Sequence, residues 1–258
     1  MAPRHIVITG ASGGIGQALA VSYARQGVVL GLVGRDQARL EACAKACRSL
    51  GAQVVVGVVD LRDAATTRSW IEAFDDRHSI DLLIANAGVA STLSMEGEWE
   101  GIERTKWVVD TNLIGVMHTV EPAIARMRAR RAGQIGIVSS LAALRGMAIS
   151  PAYCASKAAL KAWGDSVRPI LARDGIRVSM ILPGFVRTPM SDVFPGDKLF
   201  MWSPEKAARV IQRRLSAGHA QILFPAILSF GMRLLALLPT ALADAILARL
   251  YPYRTGGR

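Results

Sequence analysis

Short apolar runs rich in Val and Ile alternate along this chain with longer stretches whose apolar residues recur at helical spacing. The runs at 5–9, 28–33, 53–58, 80–85, 134–138, 176–182 and 220–224 read as strands. Helical periodicity covers 14–26, 36–50, 63–78, 105–131 and 152–173. Continuously apolar strands are buried on both faces, and helices between them supply the crossovers that parallel pairing requires. The pattern predicts a doubly wound α/β sandwich: a parallel sheet of about seven strands with helices on both faces. No internal repeat, low-complexity tract or linker divides it, so residues 1–225 read as one domain.

Two segments leave this rhythm. Residues 188–202 carry Pro189, Pro195 and Gly196, which break any long helix, yet also Met190, Val193, Phe194, Leu199, Phe200, Met201 and Trp202. A loop or short helix covering a cleft is expected there. Residues 226–258 form an extension of the same domain, strongly apolar as far as 251 and interrupted by Arg233, Pro239, Asp244 and Arg249. No stretch of ~20 residues in it is free of charge, so it does not read as a membrane span. Two readings compete for 226–251. One is an amphipathic segment resting on a membrane, helped by Arg233, Arg249, Arg254 and Arg258. The other, favoured, is a helix packed on the domain or on a second subunit.

Composition narrows the class. With 258 residues, 51% hydrophobic, and a mean hydropathy of +0.30, the chain has enough apolar surface for one large core, which excludes disorder. Cys43, Cys47 and Cys154 are too few for a disulfide scaffold, and neither they nor His5, His78, His118 and His219 show metal-ligand spacing. No metal is expected. The first residues run straight into a strand without a secretory pattern, so a cytoplasmic protein is expected. The net charge of +11 admits nucleic acid, anionic membrane or acidic small molecules as partners, but the basic residues are scattered. The densest group, Arg126, Arg128, Arg130 and Arg131, ends a helical pattern closed by Gly133, where cations suit the helix dipole. Nucleic acid is not needed to explain it.

The first strand leads into Thr9-Gly10-Ala11-Ser12-Gly13-Gly14-Ile15-Gly16 and then a helix. Small residues at such a turn let the backbone approach a pyrophosphate, whose charge the helix N-terminus stabilises. The spacing departs from Gly-x-Gly-x-x-Gly, and a plain tight connection or a methyltransferase glycine loop remains open on these residues alone. The next strand ends at Gly34-Arg35. Where many dinucleotide folds place a ribose-binding carboxylate, Arg35 offers a fork suited to a 2′-phosphate, which favours NADP(H) over NAD(H). Arg35 as the start of a solvated turn is the alternative. Asp60 and Leu61 end the third strand beside an expected adenine position, and Asn86-Ala87-Gly88 forms a second small turn at the same sheet edge.

Tyr153 and Lys157 lie one helical turn apart, so phenol and ammonium share a face. A neighbouring ammonium favours the ionised phenol, which makes tyrosine usable as a general acid and base. Thirteen residues before Tyr153, the strand ending at Ser139-Ser140 puts a hydroxyl at the C-terminal sheet edge, where ligands bind in open α/β sheets. Asn112 sets an amide inside an otherwise helical segment.

In that order, Thr-Gly-x-x-x-Gly-x-Gly, Asn-Ala-Gly, Asn112, Ser140, Tyr-x-x-x-Lys and Pro-Gly-x-Val-x-Thr, the chain resembles the short-chain dehydrogenase/reductase family from residue 5 to about 224. The resemblance implies a Rossmann-type fold and a reductase using NADP(H). It implies Tyr153 as proton donor or acceptor, Ser140 as partner of the substrate oxygen, with Ser139 the lesser alternative, and Lys157 as ribose ligand. Asn112 would hold a water in the proton relay. Gly10, Ser12, Gly13, Gly14, Ile15, Gly16, Arg35, Asp60, Leu61, Asn86, Ala87, Gly88, Tyr153 and Lys157 would bind the cofactor. Pro183, Gly184, Val186 and Thr188 would frame the nicotinamide. It also implies a homo-oligomer built on the long helices near 105–131 and 152–173.

The apolar segment 188–202 points to a lipophilic ketone or aldehyde, with Arg145 and Arg187 near enough in sequence to meet an anionic one. Alternatives are a 3-oxoacyl-thioester reductase and a binding protein that senses NADP without turnover.

Overall fold

The computed structural model describes residues 2–93, 99–194, 198 and 200–250. Seven strands form one sheet: β1 His5–Thr9, β2 Val29–Gly34, β3 Gln53–Val58, β4 Leu82–Ala85, β5 Gly133–Val138, β6 Ile176–Pro183 and β7 Gln221–Phe224. All pair in parallel, in the order β3-β2-β1-β4-β5-β6-β7. The order reverses direction between β1 and β4. That switch point opens a crevice at the C-terminal strand ends, and it is where this sheet can receive a ligand.

Among the described residues there are ten helices: α1 Gly14–Tyr23, α2 Gln37–Ser49, α3 Ala64–Arg77, α4 Ile102–Val109, α5 Gly115–Arg130, α6 Pro151–Ala172, α7 Pro189–Asp192, α8 Pro204–Ser216, α9 Ala226–Leu237 and α10 Thr240–Leu250. One core lies under α1, α2 and α8 and includes Ile8, Leu30, Leu40, Ile211 and Phe224. The other lies under α3, α5 and α6 and includes Val7, Ile71, Val120, Ile135 and Leu160. The strands alternate their side chains between these cores, which is why they read as unbroken apolar runs.

The expected elements are present, with differences that have local causes. The long helix expected near 105–131 is α4 and α5 joined through a wide π turn at Asp110–Ile114. It ends at Arg130, and Arg131, not Gly133, takes the left-handed closing position at φ 51°. Gly133 is needed for packing instead, since a Cβ there would meet Met127 Sδ at 2.3 Å. Helix α8 has no counterpart among the expected elements. Its buried stripe is Ala207, Ala208, Ile211 and Leu215, in which two alanines carry half the signal. Ser203 caps it by accepting from the Lys206 amide at 3.2 Å. The extension is a hairpin of α9 and α10 joined by Leu238-Pro239, with Leu235, Ala243 and Leu247 as its own small core. No described helix is long and apolar enough to cross a membrane. The expected covering segment 188–202 is described except for 195–197 and 199, so Leu199 lies outside the described residues, as do Arg254 and Arg258.

Candidate active site

At the end of β1 the chain turns so tightly that Gly10 has φ +66° and a Cβ on Gly16 would sit 2.2 Å from Gly10 O. Only glycine fits at either place. Thr9 and Asn86 bind the β1 and β4 turns to each other. The amides of Asn86 and Ala87 each donate to Thr9 Oγ1 at 3.1 Å, and Asn86 Nδ2 donates to Thr9 O at 3.0 Å. A Cβ on Gly13 would meet nothing within 4 Å, which leaves its backbone open to the cleft at the start of α1.

A cavity of about 570 Å³ runs along this edge. At one end it is lined by Ser12, Gly13, Gly14, Gly34, Arg35 and Asp60, with Leu61 alongside. In the middle lie Asn86, Ala87, Gly88 and Lys157, and at the far end Ser140, Tyr153, Pro183, Gly184 and Val186, while Thr188 packs beside Gly14 of the glycine turn. Gly10 and Ile15 also reach it. The expected cofactor residues therefore gather along one channel. Gly16 lies behind it, serving the turn rather than the surface. Arg39, also on the lining, was not expected; it stands in the first turn of α2, four residues after Arg35, and a second arginine so near the first was the available signal. Asp60 spends its carboxylate on Arg62, 2.6 Å away, and these hydrogen bonds hold its pKa below the usual range. Thr188 caps α7, its hydroxyl accepting from the Ser191 amide at 3.4 Å, so its side chain is already engaged.

Tyr153 and Lys157 are both buried. Tyr153 lies edge-on to Phe194 with ring centroids 5.6 Å apart, and Phe194 packs in turn on Phe185. Burial pushes the phenol up to about 12, against a hydrogen bond with Ser140 that lowers it. Burial also brings the Lys157 ammonium down to about 8; its Nζ donates to Val138 O at 3.1 Å and sits 5.9 Å from the Tyr153 ring centroid. Desolvation by the surrounding protein thus outweighs the mutual tuning expected of the pair, and the phenol is a protonated donor at neutral pH. The two serines both line the cavity and differ in their partners. Ser139 Oγ donates to Lys157 O at 2.8 Å, whereas Ser140 Oγ accepts from the Ala142 amide at 3.1 Å and hydrogen-bonds the Tyr153 phenol. Asn112 occupies the π turn, fully buried. Its Nδ2 donates to Val89 O at 2.9 Å and to Ser156 Oγ at 3.0 Å, while Oδ1 accepts from the Val89 amide at 2.7 Å. It does not line the cavity but stands behind Gly88, close to Lys157.

Beyond Tyr153 the lining turns apolar: Met147, Phe185, Met190, Phe194, Leu228 and Met232. The last two come from α9, and only tertiary packing could bring them here. Of the covering segment, Met190 and Phe194 face the cleft. Trp202 instead stacks on Phe224 at 4.9 Å and supports the fold, and Phe200 and Val193 are exposed. Arg145 pairs with Asp244 of α10 at 2.5 Å, which commits it to the hairpin rather than to a substrate.

A channel with a glycine-turn cradle at one end and a phenol, hydroxyl and ammonium at the other fits a dinucleotide, whose phosphates the glycine turn would hold and toward whose other end Tyr153, Ser140 and Lys157 would act. Among the described residues no cluster of His, Cys, Asp or Glu has a metal-binding arrangement.

Comparison with known proteins agrees with this geometry. The family profile described as short chain dehydrogenase matches residues 4–198. An uncharacterized oxidoreductase of Myxococcus xanthus is 34% identical over 252 residues, 97% of this chain and 98% of that one. The 11-beta-hydroxysteroid dehydrogenase-like 2 protein of Arabidopsis thaliana is 32% identical over 86% of this chain and 73% of its own length. Among solved structures, a short chain dehydrogenase/reductase from Burkholderia phymatum in complex with NAD superposes with a TM-score of 0.81 at 25% identity, covering 90% of this chain and 92% of that one.

Proposed function

The chain belongs to the short-chain dehydrogenase family of oxidoreductases, and from that premise we propose that it reduces a lipophilic ketone or aldehyde to the alcohol with NADPH. The observation that carries this reading is the meeting of Ser140 and Tyr153 at the apolar end of a cleft whose other end is lined by Arg35 and Arg39. The nicotinamide cofactor, when bound, supplies the hydride. Every other task belongs to the chain. The glycine turn offers backbone N–H groups and a helix N-terminus to the pyrophosphate, and Arg35, joined by Arg39, gives a 2′-phosphate two guanidinium partners. Lys157 holds a ribose hydroxyl. Ser140 and Tyr153 donate to the carbonyl oxygen, and Tyr153 delivers its proton there as charge develops. Asn112, whose Oδ1 keeps one free lone pair, holds a water behind Lys157 through which that proton is replaced.

The substrate's apolar body is received by Met147, Met190, Phe194, Leu228 and Met232, which supports a lipophilic compound. Assembly as a homo-oligomer through the outer faces of α4, α5 and α6 completes the reading, supported by exposed Ile170 on α6.

The test follows NADPH and NADH oxidation across ketones, aldehydes and acetoacetyl-CoA. Tyr153→Phe should lower kcat roughly 10²–10⁴-fold with the Kd for NADPH unchanged. Arg35→Asp should cut kcat/KM for NADPH by roughly 10–100-fold and leave NADH nearly untouched. Equal use of both cofactors by the wild type would overturn the NADP assignment. Tight NADPH binding without oxidation by any carbonyl would overturn the reductase.

A further inference from the structure

Helix α9 is apolar on two opposite faces. Leu228 and Met232 point into the fold and line the substrate end of the cleft, and Leu235 joins them one turn later. Ile227, Phe230, Leu234 and Leu237 recur at intervals of three, four and three on the other side, and are 59%, 71%, 50% and 83% exposed. A surface helix ordinarily turns a polar face to water, as α8 does with Glu205 and Arg209; one that is apolar all round is normally covered. We propose that the outer face of α9 seats the protein on an anionic phospholipid surface, so that a lipophilic substrate passes from the bilayer into the cleft that the inner face of the same helix lines.

Three observations favour lipid over a second copy of the chain. Charge is complementary: the protein carries +11, to which Arg233 and Arg249 of the hairpin contribute, both exposed, and the hairpin's acidic residue Asp244 is paired with Arg145. The stripe is narrow. Four side chains expose a few hundred Å² at most, below the roughly 800 Å² per partner that a stable dimer buries. The stripe is also one helix thickness from the apolar end of the cleft, which suits a substrate that partitions into lipid. Since no described helix can span a bilayer, α9 would lie in the interface with its axis along the surface. The seating itself is independent of the reductase reading; only the direction of substrate entry rests on it.

Flotation of the full-length protein with vesicles tests the proposal. Wild type should float with phosphatidylcholine–phosphatidylglycerol vesicles, far less with phosphatidylcholine alone, and be released by high salt. The double variant Phe230→Ser/Leu237→Ser changes only exposed side chains, so NADPH affinity and turnover of a short, water-soluble ketone should stay as in wild type, while vesicle partitioning falls at least about tenfold. Turnover of a long-chain ketone presented in anionic vesicles should fall with it. Wild type that stays in solution with every vesicle, or a variant that floats like wild type, would overturn the proposal. So would a wild-type oligomer that this double variant dissociates without any vesicle binding, which would assign the face to a second copy. Vesicle binding with no carbonyl reduction would leave the seating standing and remove the reductase reading instead.

Discussion

Lys157 shows at the scale of one residue what the site costs the fold. Its ammonium is 3% exposed and lies in a pocket that lowers its pKa from 10.5 to about 8. Below pH 8 both folded and unfolded chains carry this proton, and the full penalty of burying the charge is in force. Between about pH 8 and 10.5 the unfolded chain still binds a proton that the folded protein has lost, so this group's effect on stability improves as pH rises through that window. Lys157→Met should therefore be inactive yet more stable than wild type at pH 7, by on the order of 3 kcal/mol, with the gain shrinking toward pH 10.5. Urea unfolding of both proteins at several pH values measures this. A difference that does not vary with pH would show that the ammonium is not desolvated. Ser139 and Ser140 carry a lesson at the same scale: adjacent in sequence and chemically identical, they differ because one Oγ is spent on Lys157 O and the other reaches the Tyr153 phenol.

At the scale of elements, the basic group that dominates the charge of α5 proves structural. Arg130 forms two hydrogen bonds of 2.9 Å with the Asp75 carboxylate of α3 and a third with Ile80 O at 2.8 Å. Arg126 pairs with Asp76, and Arg128 and Arg131 with Asp174. These pairs differ in burial, which decides their value. Asp75 is only 6% exposed, so Arg130→Met would strand a buried carboxylate and should cost about 3–5 kcal/mol in urea unfolding. Arg126→Met, at a pair whose partners are 39% and 57% exposed, should cost less than about 1 kcal/mol. Equal effects would mean that α3 and α5 are not clamped through Asp75. Of these arginines Arg128 and Arg130 stand in the last turn of α5, as the dipole favours, but the acidic partners of the group lie some 40 to 55 positions away and leave no local signal. Helix α8, absent from the expected elements, carries a readable signal all the same: Ser203-Pro204 marks its start, and Ala207, Ala208, Ile211 and Leu215 lie on one face with the charges opposite.

For the whole molecule, the channel joins the ends of β1, β2, β3, β4, β5 and β6, so a ligand filling it ties together elements from residue 10 to residue 232. Any ligand bound only by the folded state stabilises all of it. NADPH at about a hundred times its Kd should add about 2.7 kcal/mol, a rise in Tm of roughly 5–10 °C for a domain of this size. NADH at the same concentration should give a smaller rise, because it lacks the 2′-phosphate assigned to Arg35. A calorimetric scan with each cofactor checks this, and matching shifts would remove the role given to Arg35.

The sequence by itself determined the layered α/β architecture, because buried parallel strands must be apolar on both faces. It also determined the glycine turns and the pairing of Tyr153 with Lys157, because tight turns demand glycine and a helical turn brings residues four apart together. Tertiary structure alone decided that Asn112 is tied to Val89 and Ser156, that Arg145 belongs to Asp244, and that Leu228 and Met232 complete the apolar end of the cleft. The physical reason is common to all three: hydrophobic periodicity tells a side chain that it will leave water, but not against which distant surface it will do so. Helix α9 marks the boundary most clearly, since its apolar residues look alike in the sequence and only packing divides them into a wall for the cleft and a face still exposed to its surroundings.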